Sequence, residues 1–193
     1  MLQNLSKYDL ILASASPRRR ELLGQLGVPF RVKTLAGIDE SFPEGLTPEA
    51  TAAHISRAKA RAYEPLLDER TLIVTADTIV WSDGRVLGKP ADEADARRML
   101  RLLAAKTHQV VTGVTVATRR RTETIAVSTD VTFAPLTDDE IAYYVATYRP
   151  LDKAGAYGIQ EWIGMAAVES ISGSYWNVMG LPVHQLYKLL KTF

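Results

Sequence analysis

Leu10-Ile-Leu-Ala-Ser-Ala-Ser-Pro-Arg-Arg-Arg-Glu-Leu-Leu23 decides the fold. An apolar β-type run stops at Ala13, and a helix opens at Ser16-Pro17. Serine is a favoured N-cap, and proline has the fixed φ and missing N–H that suit the first helical position. The helix buries Leu22, Leu23 and Leu26. Its first turn holds Arg18, Arg19 and Arg20, where the helix dipole favours acids and each cation costs about 0.3–1 kcal/mol. Serine hydroxyls, backbone N–H groups and guanidinium forks converging on one point make a phosphate site. The alternative is a solvated helix start whose arginines point into water.

Outward from this stretch, strands and helices alternate. Residues 9–14 read as a strand, 17–27 as a helix and 29–35 as a second strand. Thr47 caps a helix with Pro48 at its first position, running to about Tyr63. Residues 71–76 are a short apolar run of the kind found in buried central strands. Trp81-Ser-Asp-Gly-Arg-Val-Leu87 has an Asp-Gly pair between apolar flanks, a hairpin signal. A helix spans about 92–104. Two long strands, 110–117 and 124–133, surround the polar turn 118–123, and the second presents Ile125, Val127, Thr129, Val131 and Phe133 on one face. Helices at 138–148 and 182–191 enclose a loop-rich stretch. With no repeat or linker, residues 1–193 read as a single α/β domain with a mixed sheet, because hairpins and β-helix crossovers both occur.

The totals exclude several classes. Lys plus Arg number 23 against 22 acids, a net charge of +1, without the basic excess of a nucleic-acid binder. Anion recognition must therefore be local. The absence of cysteine removes disulfides, a thiolate nucleophile and Cys-based zinc. The first ten residues lack the basic start and apolar stretch of a signal peptide. No apolar run approaches a membrane span, so a cytoplasmic protein without membrane contact is expected.

Some polar residues do not belong to the scaffold. Asp77 follows the buried run Leu72-Ile-Val-Thr-Ala76, which would fix its carboxylate at a strand end, where sites on α/β sheets form. Asp39 and Glu40 follow the second strand. Such carboxylates can hold Mg²⁺ through one or two oxygens, and one can accept a proton from water; for Asp39 a turn role is the better reading. Lys59, in a helix, reads as a wet-face residue. Gly88-Lys89-Pro90 is no Walker loop, because Pro90 stands where Ser or Thr is required, yet it holds its lysine on a constrained backbone. Gln160 has a primary amide suited to a base edge. The glycines around it permit close approach of a ligand and are equally what a tight loop requires. His54, His108 and His184 show no ligand spacing.

Together, Ser14-Ala-Ser-Pro-Arg-Arg19, Ala76-Asp-Thr78, Leu87-Gly-Lys-Pro90, His108-Gln-Val-Val-Thr-Gly-Val114, Asp152-Lys-Ala-Gly-Ala-Tyr-Gly-Ile-Gln160 and Gly173-Ser-Tyr-Trp-Asn-Val-Met-Gly-Leu-Pro182 resemble the Maf nucleotide pyrophosphatases. The motifs stand in family order and cover about residues 9–190. The resemblance implies a mixed twisted sheet flanked by helices, in the inosine-triphosphate-pyrophosphatase manner, with two lobes and a central cleft. It implies hydrolysis between the α- and β-phosphates of a nucleoside triphosphate, assisted by a divalent cation, Mg²⁺ or Mn²⁺. Carried over by motif, Asp77 is the catalytic acid residue, acting as proton acceptor or through the metal, and Glu40 is its metal partner. Ser14, Ser16, Arg18, Arg19, Lys59 and Lys89 hold the triphosphate. Fixed cations suit that role, since charge builds on phosphate oxygens during cleavage. A homodimer rests on the resemblance alone.

Arg18, Thr78 and Gln160 correspond to the positions that mark base preference, and the tract ending at Gln160 looks like the branch acting on dTTP and UTP. The branch acting on 7-methyl-GTP has Cys after the Asp and Ser-Phe in place of Ala-Tyr. A glutamine amide complements both the 4-oxo acceptor and the N3–H donor of uracil or thymine. One departure stands out: Glu161-Trp162 follows Gln160 where a small residue is more usual. The expected function is dTTP/UTP pyrophosphatase, also removing modified pyrimidine triphosphates. The alternatives are the same reaction on another base, such as 7-methyl-GTP or CTP, and a nucleotide-binding regulator of cell division.

Overall fold

The computed structural model describes residues 2–193. Its strands are β1 (Asp9–Leu12), β2 (Arg31–Val32), β3 (Thr71–Ser82), β4 (Arg85–Leu87), β5 (Thr107–Ala117), β6 (Thr122–Phe133) and β7 (Val168–Ser172). They form one seven-stranded sheet in the order β2-β1-β3-β5-β6-β7, with β4 on β3. β1 runs parallel to β2 and β3, whereas β4 and β7 run antiparallel to β3 and β6, so the sheet is mixed as expected. The helices are α1 (Pro17–Gly24), α2 (Pro48–Arg61), α3 (Glu93–Leu103), α4 (Asp138–Tyr148), α5 (Trp162–Ala166), α6 (Tyr175–Met179) and α7 (Val183–Leu190). Among the described residues no helix is long and apolar enough to cross a membrane.

The chain falls into two compact units. The first comprises Met1–Asp77, Thr112–Val127 and Gly180–Phe193. Here β1 pairs Ile11 with Arg31 and with Ile73, and Leu10 and Leu12 are buried. Ser16 caps α1, its Oγ accepting from Arg19 N at 3.4 Å, with Pro17 in the first turn. Leu22 and Leu23 are buried. The helix expected for 17–27 ends at Gly24, because Leu26 and Gly27 turn back to Leu23 and Gly24 in short i→i−3 bonds; Leu26 is half-buried.

Thr47 caps α2 through Ala50 N at 3.2 Å. This helix lies directly on the sheet. Thr75 Oγ1 donates to Ser56 O at 2.7 Å, and Ser56 Oγ lies 2.9 Å from Thr115 Oγ1. Gly113 makes the approach feasible, since a Cβ there would stand 2.1 Å from Ala52 O. The strand expected over 29–35 shrinks to Arg31–Val32. Beyond it the backbone turns to the buried Tyr63 hydroxyl, which donates to Lys33 O at 2.8 Å and accepts from Leu35 N at 3.0 Å. Tyr63 belongs to a core cluster with Ala13, Ala60, Ile73 and Ala117.

The second unit comprises Thr78–Val111 and Ser128–Met179. Asp83 and Gly84 have φ of +50° and +78°, the left-handed pair that a type I′ hairpin turn needs, and β4 returns with Arg85 opposite Ser82. This hairpin corrects one expectation. β3 does not stop at Ala76 but continues to Ser82. Ile79, Val80 and Trp81 resume the β pattern and β4 pairs with 80–82, so Asp77 lies inside a strand and not at its end. A capping box of Thr137 and Glu140 starts α4. His108, Phe133 and Tyr157 pack edge to face with ring centroids 4.9–5.5 Å apart. On β6, Thr129, Val131 and Phe133 are buried, whereas Ile125 and Val127 are half-buried. The stretch between α4 and α7 contains α5, β7 and α6 among its turns.

Candidate functional site

Asp77 ends the first unit, midway along β3. Its Oδ1 accepts from Lys59 Nζ at 2.7 Å, and the same ammonium lies 3.1 Å from Glu40 Oε1. Lys59 reaches this point from the last turn of α2, which the bonds of Thr75 and Ser56 hold against β3 and β5. The Lys59 and Asp77 side chains are only 14% and 13% exposed, while Glu40 is 53% exposed. The pair is thus withdrawn from water, with Glu40 at the mouth. Lys59 is therefore no wet-face residue. A cation between two carboxylates is a long-range arrangement that helix periodicity does not register.

The neighbouring acid has another task. Asp39 Oδ1 accepts from Ser41 N at 2.9 Å, and this backbone bond, aided by the Ser41 side chain, draws its carboxyl below the usual carboxylate range. Asp39 organises a turn, and Glu40 is the acid that approaches Lys59.

Arg19 also belongs here, tied to backbone. Its Nε donates to Gly180 O at 2.8 Å and its Nη1 to Ala76 O at 2.8 Å, with Ser14 Oγ at 3.5 Å. It grips the strand one residue before Asp77. Desolvation lowers the guanidinium from its ordinary value and Arg18 adds to that, while the charges of Asp77 and Glu40 act in the opposite direction. Ser14 Oγ accepts from Ser16 N at 3.2 Å, so Ser14 and Ser16 satisfy two N–H groups of the loop. Arg18 is half-buried and Arg20 exposed. Beside this loop Ser14, Ser16, Arg20, Phe30 and Val32 line a groove of about 460 Å³.

The other expected residues lie in the second unit. Thr78 is half-buried, and Lys89 and Gln160 are exposed. Gly88 O accepts from Gly155 N at 3.0 Å, which joins the Gly-Lys-Pro motif to the Asp152–Gln160 tract. Gly155 needs its φ of +66° and has no room for a side chain, since a Cβ would meet Val80 at 2.9 Å. His108 is buried with Nε2 2.8 Å from Tyr157 Oη, and burial pushes its pKa down to about 4. It is a neutral structural histidine.

Sequence reasoning passed over one cluster in this unit. Lys153 is 8% exposed and its Nζ reaches Glu161 Oε1 at 3.2 Å, while Tyr144 donates to Glu161 Oε2. Burial, then the bond to Glu161, raises the Tyr144 phenol above its ordinary value, keeping it a donor. The only sign in the sequence is Glu161 itself, a charged residue where a small one is usual.

Chemically, the first-unit cluster offers a fixed carboxylate able to accept a proton, a second carboxylate 3.1 Å from the same ammonium, and cations beside both. Among the described residues no three His, Asp or Glu side chains converge on a metal position. Glu40 and Asp77 form a two-carboxylate set, the number magnesium takes from protein when substrate phosphates complete its shell.

A dTTP/UTP pyrophosphatase of Bacteroides fragilis is 56% identical over 191 residues, covering 99% of each chain. One of Porphyromonas gingivalis is 52% identical over 195 residues, covering 100% of this chain and 98% of its own. A HAM1 protein from Coxiella burnetii has the same fold, with a TM-score of 0.51 at 14% identity over 96% of this chain and 100% of its own. Residues 9–193 match the family model described as Maf-like protein, and the chain belongs to that family.

Proposed function

We propose that this protein hydrolyses dTTP and UTP between the α- and β-phosphates, giving the nucleoside monophosphate and pyrophosphate. The observation that carries the reading is the Glu40–Lys59–Asp77 cluster, in which a carboxylate on a rigid strand is held at 2.7 Å by a lysine. Relatives at 52–56% identity named dTTP/UTP pyrophosphatase support it. In the reaction a water oxygen attacks a phosphorus flanking the α–β bridging oxygen, its proton passes to Asp77, and the bridging P–O bond breaks with the electron pair leaving on the other product, pyrophosphate or monophosphate. Lys59 orients the Asp77 carboxylate, and Arg19 fixes the strand beneath it.

Glu40 and Asp77 fit a divalent cation, Mg²⁺ or Mn²⁺, which when bound would neutralise charge developing on the phosphate oxygens. Roles for Ser14, Ser16, Arg18, Arg19, Lys59 and Lys89 on the phosphates, and for Arg18, Thr78 and Gln160 on the base, follow from the resemblance. So do nucleotide-pool sanitation in the cytoplasm and a homodimer.

The test is product analysis on dTTP, UTP, CTP, 7-methyl-GTP and ITP with Mg²⁺ or Mn²⁺. Monophosphate and pyrophosphate from dTTP and UTP are expected. Indifference to the base refutes the specificity, and release of orthophosphate refutes the bond assignment. Tight nucleotide binding without turnover would make the protein a regulator.

A further inference from the structure

Glu161 sits at the centre of a closed hydrogen-bonded ring. Gly158-Ile-Gln-Glu161 is a β-turn, with Glu161 N donating to Gly158 O at 3.0 Å. From the other side, Gly158 N donates to Tyr144 Oη at 3.0 Å, and that hydroxyl donates to Glu161 Oε2. Lys153 Nζ binds Glu161 Oε1 at 3.2 Å and Asp152 Oδ1 at 2.7 Å. One carboxylate therefore ties α4, the Asp152–Tyr157 tract and both ends of the turn that carries Gln160. The Glu161 and Lys153 side chains are 17% and 9% exposed, so the ring is shielded from competing water. Ile159 is buried below the turn, and Gln160 is exposed at its tip. A Cβ on Gly158 would come within 2.9 Å of Glu161 Cδ and 3.0 Å of Gln160 Nε2. The glycine thus lets both side chains fold back over the turn.

An orientation-locked amide discriminates where a loose one does not. Uracil and thymine present a 4-oxo acceptor and an N3–H donor. Cytosine presents a 4-amino donor and an N3 acceptor, and a carboxamide matches it after rotating half a turn. A turn that holds Gln160 in one pose favours the oxo bases. A turn free to reorganise lets the amide serve cytosine and must be ordered on binding, which lowers affinity.

Resting on the pyrophosphatase reading above, we propose that Glu161 is a positioning residue for base recognition, closing the ring that presents the Gln160 carboxamide to uracil or thymine in one orientation. It touches no substrate itself.

The test measures kcat and KM for UTP and CTP in wild type, Glu161→Ala, Glu161→Gln, Gln160→Ala and the Gln160→Ala/Glu161→Ala double variant. Glu161→Ala should raise KM for UTP about tenfold with kcat within about threefold, and lower the UTP/CTP ratio of kcat/KM by about tenfold. Glu161→Gln keeps an acceptor for Tyr144 but turns an amide NH2 toward the Lys153 ammonium, so its KM for UTP and its selectivity should fall between those of wild type and Glu161→Ala. In the double variant Glu161→Ala should add nothing to the loss of selectivity caused by Gln160→Ala. Tyr144→Phe, which removes the hydroxyl at nearly constant volume, should reproduce the selectivity loss should Glu161→Ala fail to fold. Unchanged KM and selectivity in a folded Glu161→Ala or Tyr144→Phe variant would overturn the proposal, as would an equal fall in kcat on both nucleotides. Wild type active on UTP with such a result removes this inference alone, whereas wild type inactive on every triphosphate removes the reading beneath it as well.

Discussion

Replacing Gly113 by alanine should dislodge α2 and with it Lys59, the partner of Asp77. The new Cβ would stand 2.1 Å from Ala52 O, 2.4 Å from Ala52 C and 2.8 Å from Ala53 N. These are backbone atoms of α2, so no side chain can swing aside, and the helix must retreat by roughly 1 Å to reach ordinary contact. Overpacking of this kind costs about 1–3 kcal/mol. The retreat also stretches the Thr75–Ser56 and Ser56–Thr115 hydrogen bonds, each worth about 1 kcal/mol net. A loss of about 2–4 kcal/mol in unfolding free energy follows. Lys59 lies about 10 Å further along the same helix, and its 2.7 Å bond to Asp77 lengthens with the shift. A misplacement of about 1 Å near the chemistry lowers turnover by roughly 10²-fold. Urea unfolding and pyrophosphate release from UTP measure the two effects. Gly24→Ala is the control, since its Cβ meets nothing nearer than 3.9 Å and alanine favours a helix by up to about 1 kcal/mol. Wild-type midpoint and turnover in Gly113→Ala would refute the seating of α2 on this glycine.

Arg19→Lys keeps a charge but loses the rigid fork that reaches Gly180 O and Ala76 O from two nitrogens, so it should cost about 1–3 kcal/mol of stability together with turnover; stability equal to wild type in urea would show the bridge to be idle. His108 is buried and neutral, with its pKa down from 6.5 to about 4, so on acidification the unfolded chain takes up a proton that the folded one refuses. Stability must then rise with pH across that window, by on the order of 3 kcal/mol from this group. His108→Gln should flatten that part of the urea-stability profile, and an unchanged slope between pH 4 and 6.5 would contradict the assignment. Removal of divalent cations with EDTA should abolish pyrophosphate release, and Mg²⁺ or Mn²⁺ should restore it; activity surviving chelation would rule out the metal-holding role given to Glu40 and Asp77.

Local chemistry carried much of the fold. Ser16-Pro17 and Thr47-Pro48 marked two helix starts, and Asp83-Gly84 marked a hairpin whose positive φ values are those the pair implies. The same chemistry misplaced Asp77. A carboxylate after the buried run Leu72–Ala76 resembles a strand end, and only the pairing of β3 with β4 beyond it shows otherwise. Site residues divide in the same way. Asp77 and the arginines of α1 are conspicuous in sequence, because charge stands where the scaffold does not ask for it. Lys59 is not, since a helix lysine looks alike whether it meets water or two acids, and its partners are 18 and 19 residues away. The turn role that the sequence favours for Asp39 is met by its bond from Ser41 N. The two carbonyls that Arg19 grips lie 57 and 161 residues along the chain, beyond the reach of any local pattern.

In the reaction proposed above, cleavage of the α–β bond depends on Asp77. Pyrophosphate release from UTP by wild type and Asp77→Asn, with nucleotide binding followed in parallel, tests it most directly. Turnover should fall by about 10²–10⁴-fold while binding of UTP persists. An Asp77→Asn variant that releases pyrophosphate at the wild-type rate would contradict it.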